Sequence, residues 1–404
     1  MRAFLWIVAP AVLLAQTDFQ QKGYIEYRGL GFPQTTYNDK AHVIGEALIR
    51  YDVMYGLAPG LRLSGGTETR SDTHRQTERE FKLNWDDRGL KRPNFSIRRF
   101  SLQYNTGRFT LEGGKQLIRW GKADILNPTD RFAPRDFLSV VDNDILAVSA
   151  LRGIYETSSD SVEVVAQPFF TPSRAPLLNQ RWTVLPEQLR GIPINDLGSR
   201  FPGGTQWGAR WNHLGSGYEM SLSFYNGHNH LPLFEGGFNG TAVDLRRAFA
   251  QMRMYGADAA VPLKWFTLKG EAGYFTSSTK EQDEYLLYVI QLERQSGEWS
   301  FVGGYAGEGV TAKRSQFIFA PDRGLTRAFL GRASYNLDVN RSVAMDTAIR
   351  QNGDGLWLRS EYSETWGQHW RGTAGFTLIR GEPTDFLGQY RRNSFFSMSL
   401  RYSF

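Results

Sequence analysis

Residues 393–404 constrain this chain more than any other stretch: Phe396, Met398, Leu400, Tyr402 and Phe404 alternate with Ser397, Ser399, Arg401 and Ser403. Successive side chains on a strand point to opposite sides, so this segment is one strand with an apolar face and a polar face, ending on the apolar Phe404. A strand exposed to lipid on one side and to water on the other needs that pattern.

Composition agrees with β structure in a membrane. Aromatic residues make up 14% of the 404 positions and glycines number 42, while mean hydropathy is −0.42. The chain is too polar for a helical membrane protein, yet rich in the residues of strands, interfacial belts and turns. There is no cysteine, which removes disulfides, thiolate metal sites and a cysteine nucleophile. The formal charge of +6 is dispersed through alternating segments, so a nucleic-acid partner is not expected.

The amino terminus reads as a targeting segment. Arg2 precedes an apolar run over residues 3–14, and Ala15 stands before the polar Gln16, Thr17 and Asp18. Residues 1–15 are expected to be a secretory signal, since the run is shorter than the roughly 20 apolar residues of a spanning helix. Residues 16–404 then form one domain. Without a cysteine for lipid attachment, export leads to the periplasm, the outer membrane or the medium.

Alternating segments arrive in pairs. Residues 42–55 and 61–70 flank a tight connection at 56–60, and residues 95–104 and 109–118 flank 105–108; further hairpins turn near 158–160, 214–217, 261–263, 295–297, 338–340 and 366–368. Between them lie longer, more polar connections at 71–93, 120–145, 171–204, 227–247 and 307–326. Short and long connections therefore alternate, as in an antiparallel up-and-down barrel with short periplasmic turns and long external loops. With residues 24–30 as the first strand, the count is about 18, and 16 is the neighbouring even number. Only about ten residues then separate Ala15 from the first strand, too few for a plug domain. A soluble sandwich or propeller is the alternative, but it would expose the apolar faces to water. The terminal strand also resembles the signature of bacterial outer-membrane β-barrels. That resemblance implies a multi-pass barrel in a Gram-negative outer membrane, in contact with its lipid and engaged by the barrel-assembly machinery through the strand ending at Phe404.

The two faces of the clearer strands point to a pore. Val43, Ala47, Ile49, Tyr51 and Val53, then Phe100, Leu102 and Tyr104, then Trp207, Ala209 and Trp211 suit lipid, as do similar sets near residues 266–274 and 370–378. The opposite face carries the basic residues Arg50, Arg62, Arg99, Arg210, Lys269, Arg332, Arg359, Arg371 and Arg401 and the acidic residues Glu46, Asp52, Glu68, Glu271 and Glu361. Such a lumen is charged, hydrated and richer in guanidinium than carboxylate, so small anionic hydrophilic solutes are the expected cargo. The competing reading is that these arginines pair with luminal carboxylates and only stiffen the wall.

One loop stands out. From Arg119 to Phe137 it mixes Arg119, Lys122, Asp124, Asp130, Arg131, Arg135 and Asp136 with Pro128 and Pro134 and anchoring aromatics, and proline favours a defined path. It is expected to fold into the lumen as a constriction; a loop that only caps the rim is the alternative. The run from Trp120 to Asp130 resembles the W-G-K/E-x-D-x-x-N-P-x-D segment of a family of porin-like outer-membrane proteins. The arginine-lined barrel is also similar in outline to alginate-export porins, which would imply an anionic polysaccharide; an export conduit for such a polysaccharide or for a lipid-like molecule is the alternative to a passive channel.

Other motifs are weak. Gly113, Gly114 and Lys115 lack the spacing of a phosphate-binding loop. Asp142, Asn143 and Asp144 are too few for calcium and read as solvated loop. His228 and His230 read as surface histidines, and no metal or other cofactor is expected. An enzyme embedded in the barrel, such as a hydrolase, needs a base beside a nucleophile, yet only His42 falls on an inward strand face and no Gly-x-Ser-x-Gly elbow is present. The sequence therefore points to a passive channel and not to an enzyme.

Overall fold

The structure is a computed structural model that describes residues 19–315 and 319–404; the expected signal segment, 1–15, lies outside the described residues. Nineteen strands share one sheet, one of them the two-residue Leu83–Asn84, and the other 18 close into an antiparallel barrel. In chain order these are β1 (Phe19–Gly31), β2 (Val43–Ala58), β3 (Leu61–Asp72), β4 (Phe95–Thr106), β5 (Phe109–Gln116), β6 (Val148–Glu156), β7 (Asp160–Gln167), β8 (Gln206–Gly215), β9 (Tyr218–His228), β10 (Gln251–Pro262), β11 (Thr267–Thr276), β12 (Glu284–Ser296), β13 (Trp299–Ala312), β14 (Ala328–Asn336), β15 (Arg341–Arg350), β16 (Gly355–Trp366), β17 (Trp370–Gly381) and β18 (Phe395–Ser403). Each pairs with its neighbours, and β18 returns to β1 in the register Tyr24↔Ser403 to Gly31↔Phe396. Closure leaves no free edge, which a sheet in hydrocarbon requires.

Several boundaries differ from those read in the sequence. β1 begins at Phe19, five positions early, and β2 runs through Gly56 to Ala58, leaving Pro59 and Gly60 as the turn. Ladder bonds outlast the apolar alternation there, and Gly60, at φ +77°, supplies the reversal. β13 continues to Ala312, inside the expected 307–326 loop, and β5 stops at Gln116 instead of 118. The long connections also hold structure: Ile194–Ser199, Val243–Ala248 and Leu233–Phe238 make a small separate sheet from the fourth and fifth loops.

The outer surface is apolar. Ile25, Tyr27, Ile49, Leu102, Leu222, Ile290, Leu292, Met398 and Leu400 are exposed around the barrel, an area that water would not tolerate and lipid covers. Aromatic rings form a row toward the loop end, with Trp207–Phe224 and Phe224–Tyr255 centroids 5.1 and 5.2 Å apart and Phe376–Phe396 at 4.8 Å. A second row lies at the turn end, through Phe109–Tyr155 at 4.7 Å and Trp370–Tyr402 at 5.0 Å. Two such rows are the girdle pattern of a membrane-spanning β-barrel.

The wall has one notch. Because β5 ends early, the upper part of β4 lacks a partner on that side, and Leu83–Asn84 from the second loop (73–94) pairs there in parallel, Leu83↔Phe95 and Asn84↔Ser96. Lys115 occupies an outward register position opposite Phe100 and Ser149 near the loop end of the wall, where a bare charge facing lipid would cost up to about 1 kcal/mol at the interface and more with depth. It is instead buried beneath the second loop, its Nζ donating to the Trp85 carbonyl and the Asp87 carboxylate, each at 2.6 Å.

The interior has two kinds of wall, a departure from the uniformly charged lumen expected. On β6–β12 the inward positions include Val148, Val165, Tyr225, Met252, Met254, Phe275, Tyr285 and Leu287, all buried in one apolar cluster with Ile118, Trp120 and Phe132 of the third loop (117–147). Toward the loop end, Phe32, Val140, Trp182, Leu387 and Tyr390 from the first, third, fourth and ninth loops cover Ile44, Ile379 and Phe395. The charged, open sector is left on β1–β3 and β16–β18.

Candidate permeation path

The third loop enters the barrel where β5 ends, and its first lobe is seated on the apolar wall. The Trp120 ring lies against Gly208 of β8, where a Cβ would come within 2.8 Å of Trp120 Cη2, and packs edge-on against Phe132 at 5.1 Å. Its indole N–H donates to Glu163 Oε1 at 3.0 Å, and its backbone N–H to Asp130 Oδ1 at 3.0 Å. Glu271 of β11 then receives four bonds from the loop: backbone N–H of Lys122 (3.0 Å), Ala123 (3.0 Å) and Thr129 (2.8 Å), and the Thr129 hydroxyl (2.9 Å). Gly121, at φ +92°, makes this approach, since a Cβ there would lie 2.5 Å from Glu271 Oε1. Lys122 Nζ reaches Glu219 at 2.6 Å, Asp124 pairs with Lys269 at 2.8 Å, and Asn127 donates to the Ala123 carbonyl. The distinctive run from Trp120 to Asp130 is thus a set of wall and self contacts. Gly121→Ala combines an αL penalty of about 1–2 kcal/mol with this clash, so it should lower the unfolding midpoint, read as loss of the compact band on unheated gels.

The second lobe crosses to the charged wall. Arg135↔Ile145 and Asp136↔Asp144 form a short ladder. At its base Asp136 accepts from Arg92 Nε (2.9 Å) and Arg174 (3.2 Å), Arg174 bonds Asp87 (2.7 Å), and Asp87 bonds Lys115 (2.6 Å), so five buried charges alternate in sign across three loops and the wall. Burial opposes ionisation of Asp136, but Arg92 and Arg174 hold its carboxyl well below the usual carboxylate range. At the tip, Asp142 meets Arg28 and lies 3.9 Å from Arg359, while Asp144 bonds Arg50 (2.7 Å) and Arg70 (2.6 Å). Against the same opposing burial, Arg50 and Arg70 hold Asp144 down at about 2.

Among the sequence-selected residues, most cations stand beside an anion. Arg50 bonds Glu68 (2.5 Å), Arg99 lies 3.4 Å from Asp52, Arg210 is buried against Asp258 (2.9 Å), and Lys269 bonds Glu293 (2.7 Å) as well as Asp124. Arg332 bonds Asp346 (2.5 Å), Arg359 bonds Glu361 (2.8 Å), Arg401 bonds Glu26 (2.6 Å), and Glu46 lies 3.3 Å from Arg92. Arg371 donates to the Ser363 hydroxyl at 2.8 Å, and neither it nor Arg62, exposed at the turn end, has an ion-pair partner among the described residues. In the loop, Arg119 lies 3.6 Å from Asp130, Arg131 is 3.6 Å from Asp322, and Arg135 bonds the Asn143 side chain at 3.0 Å. Burial raises Asp130 despite those guanidiniums.

Three weak motifs read differently in the fold. Asp142 and Asp144 are ion-paired in the lumen, Asp142 largely covered and Asp144 half exposed there. His230 is buried, not at the surface: its Nδ1 lies 2.6 Å from the Thr171 carbonyl oxygen and its Nε2 2.9 Å from that of Arg131. His42 precedes β2 at the rim, its Nδ1 2.8 Å from the Phe32 carbonyl oxygen, so it is not on an inward strand face. Sequence reasoning missed Arg28, Arg70, Arg92 and Arg174. Alternation in β1 and β3 carried the signal for the first two, since Arg28 shares a face with Glu26 and Arg70 with Glu68; nothing local marked the two loop arginines.

Two cavities flank the loop tip. One of about 350 Å³ lies between the second lobe and the charged wall, bounded by Arg28, Arg50, Arg359, Arg371, Arg401 and Glu26 among others. The other, of about 340 Å³, is bounded by Asp130, Arg131, Arg135, Arg332 and Trp357, and the two share Asp142, Asn143 and Arg359. Arg359 thus borders both cavities.

No family model matches the chain, and no curated protein matches it by sequence. Its fold is similar to a BenF-like porin from Pseudomonas fluorescens Pf-5, with TM-score 0.57 and 10% identity over 96% of this chain and 98% of that one. It is also similar to OccK11 (OpdR) of Pseudomonas aeruginosa, with TM-score 0.54 and 8% identity over 96% of each chain. Together with the closed 18-strand wall and its apolar exterior, these likenesses give the chain the fold of an outer-membrane porin.

Proposed function

We propose that the protein is a passive outer-membrane channel for small hydrophilic solutes, with a preference for anions set on the β1–β3 and β16–β18 wall. The observation behind the preference is the charge around the first cavity. Seven guanidiniums border it (Arg28, Arg50, Arg70, Arg92, Arg359, Arg371 and Arg401); six of them stand beside a carboxylate, Glu68 and Asp136 included, and Arg371 has no carboxylate partner among the described residues. Local pairing removes most of the excess, so the selectivity is modest, and a solute anion competes best at Arg371 and its register partner Arg401. A third loop pinned to both walls leaves small cavities instead of a wide bore, which disfavours passage of a polymer.

The test is the reversal potential of refolded protein in a planar bilayer under a salt gradient. Wild type should be anion-biased, and the double change Arg371→Ala, Arg401→Ala should move the potential toward the cation side, because Glu26 is left unpaired as well. Arg210, buried against Asp258, should have little influence when replaced by lysine. A cation-biased wild type, or a double variant indistinguishable from it, would remove the anion preference.

A further inference from the structure

We propose that residues 81–87 of the second loop are a panel of the barrel wall that contacts outer-leaflet lipid, not part of an aqueous loop. The segment alternates as a strand does: Phe81, Leu83 and Trp85 are 76%, 57% and 40% exposed, and between them stand Lys82 and Asn84. Leu83 pairs with Phe95 on the outward face of β4, Phe81 stacks on Phe95 at 5.3 Å, and Trp85 lies edge-on to Phe100 at 6.2 Å. The three side chains therefore continue the lipid-facing row of Phe100, Leu102 and Tyr104 without a break.

Two further observations point to lipid as the occupant of this face. The loop-end girdle lacks an aromatic residue on β5 and β6, whose outward positions at that level are Lys115 and Ser149. Trp85 supplies the missing ring, and its indole N–H donates to the Ser149 hydroxyl at 3.1 Å, the amphipathic placement that suits the headgroup boundary. Beneath it, Lys115 sits at a register position that would otherwise aim an ammonium into lipid, and the panel answers it with Asp87 and the Trp85 carbonyl. The panel thus closes the wall that the third loop vacates, which lets that loop fold inward without leaving an open edge in the membrane.

The absence of cysteine makes the test direct. Nitroxide labels would be placed singly at Phe81→Cys, Leu83→Cys, Trp85→Cys and Lys82→Cys in the refolded full chain in bilayers, with Phe100→Cys as a lipid reference and Val339→Cys, at a fully exposed turn, as a water reference. Each variant is first checked for the compact unheated-gel band. Labels at 81, 83 and 85 should match Phe100→Cys in oxygen-to-nickel collision ratio and exceed Val339→Cys several-fold. Ratios like that of Val339→Cys would overturn the panel in favour of an aqueous loop, and labels shielded from both reagents would overturn lipid contact in favour of a protein neighbour. The inference rests on the barrel's place in a bilayer and not on conduction, so its failure would leave the channel reading standing.

Discussion

Replacing Glu271 by alanine should free the first lobe of the third loop, raising single-channel conductance and flicker while lowering stability by about 3–5 kcal/mol. One buried carboxylate accepts four of the bonds that hold residues 122–129 to the wall, beside the Lys122–Glu219 and Asp124–Lys269 pairs. Without it three backbone donors and a hydroxyl lose their acceptor, each at about 1–3 kcal/mol when buried, though lumen water recovers part of that. Glu271→Gln keeps one carbonyl acceptor and should fall between. Trp120 and Phe132 remain on Gly208, so the barrel itself should still fold, and the measurement pairs an unfolding midpoint with bilayer recording. A destabilised variant with unchanged conductance would show that this lobe does not narrow the path.

Asp136→Asn should have an effect of similar size on the second lobe. It leaves Arg92 and Arg174 as buried charges without their shared carboxylate, for which about 3–5 kcal/mol is the expected loss. The same pairing predicts acid sensitivity. Asp136 and Asp144 are both depressed in the fold relative to an unfolded aspartate near 3.9. Their contribution is therefore fully present above that value and is lost as pH falls through the folded values, from about 4 down to about 2 for Asp144. Wild-type stability and closed-lobe conductance should hold to about pH 4 and decline below it, whereas Asp136→Asn should start lower and decline less. A variant whose acid profile overlays the wild type would rule out this ion chain as the clamp.

The wall was legible in the sequence because lipid and water impose a period of two that neighbours in the chain carry by themselves. The 393–404 segment pairs as β18 with Arg401 inward and Phe404 outward, and the hairpins near 105–108, 158–160 and 214–217 close where turn residues interrupt the alternation. Alternation failed where something other than lipid or water supplies the environment. Met252, Met254, Phe275 and Tyr285 sit on the inward face and are dry because the third loop covers them, so their apolar character carried no local sign of its cause. Leu83 reads as loop, yet pairs in the wall because β5 ends short.

By itself, then, the sequence determined an all-β chain with one apolar and one polar face per strand, an even strand count near 18, and the identity of the loop with most to anchor. Those properties follow from backbone geometry and solvent contrast, which act over a few residues. The tertiary structure alone decided which cations remain unpaired, where the lumen is dry, and which segment seals the notch. Each depends on a partner far along the chain: Arg401 on Glu26, Lys122 and Ala123 on Glu271, Lys115 on Asp87, and Asp144 on Arg50. Net charge in a lumen is a difference between nearly equal numbers of opposite charges, so only their pairing in space says what a passing solute meets.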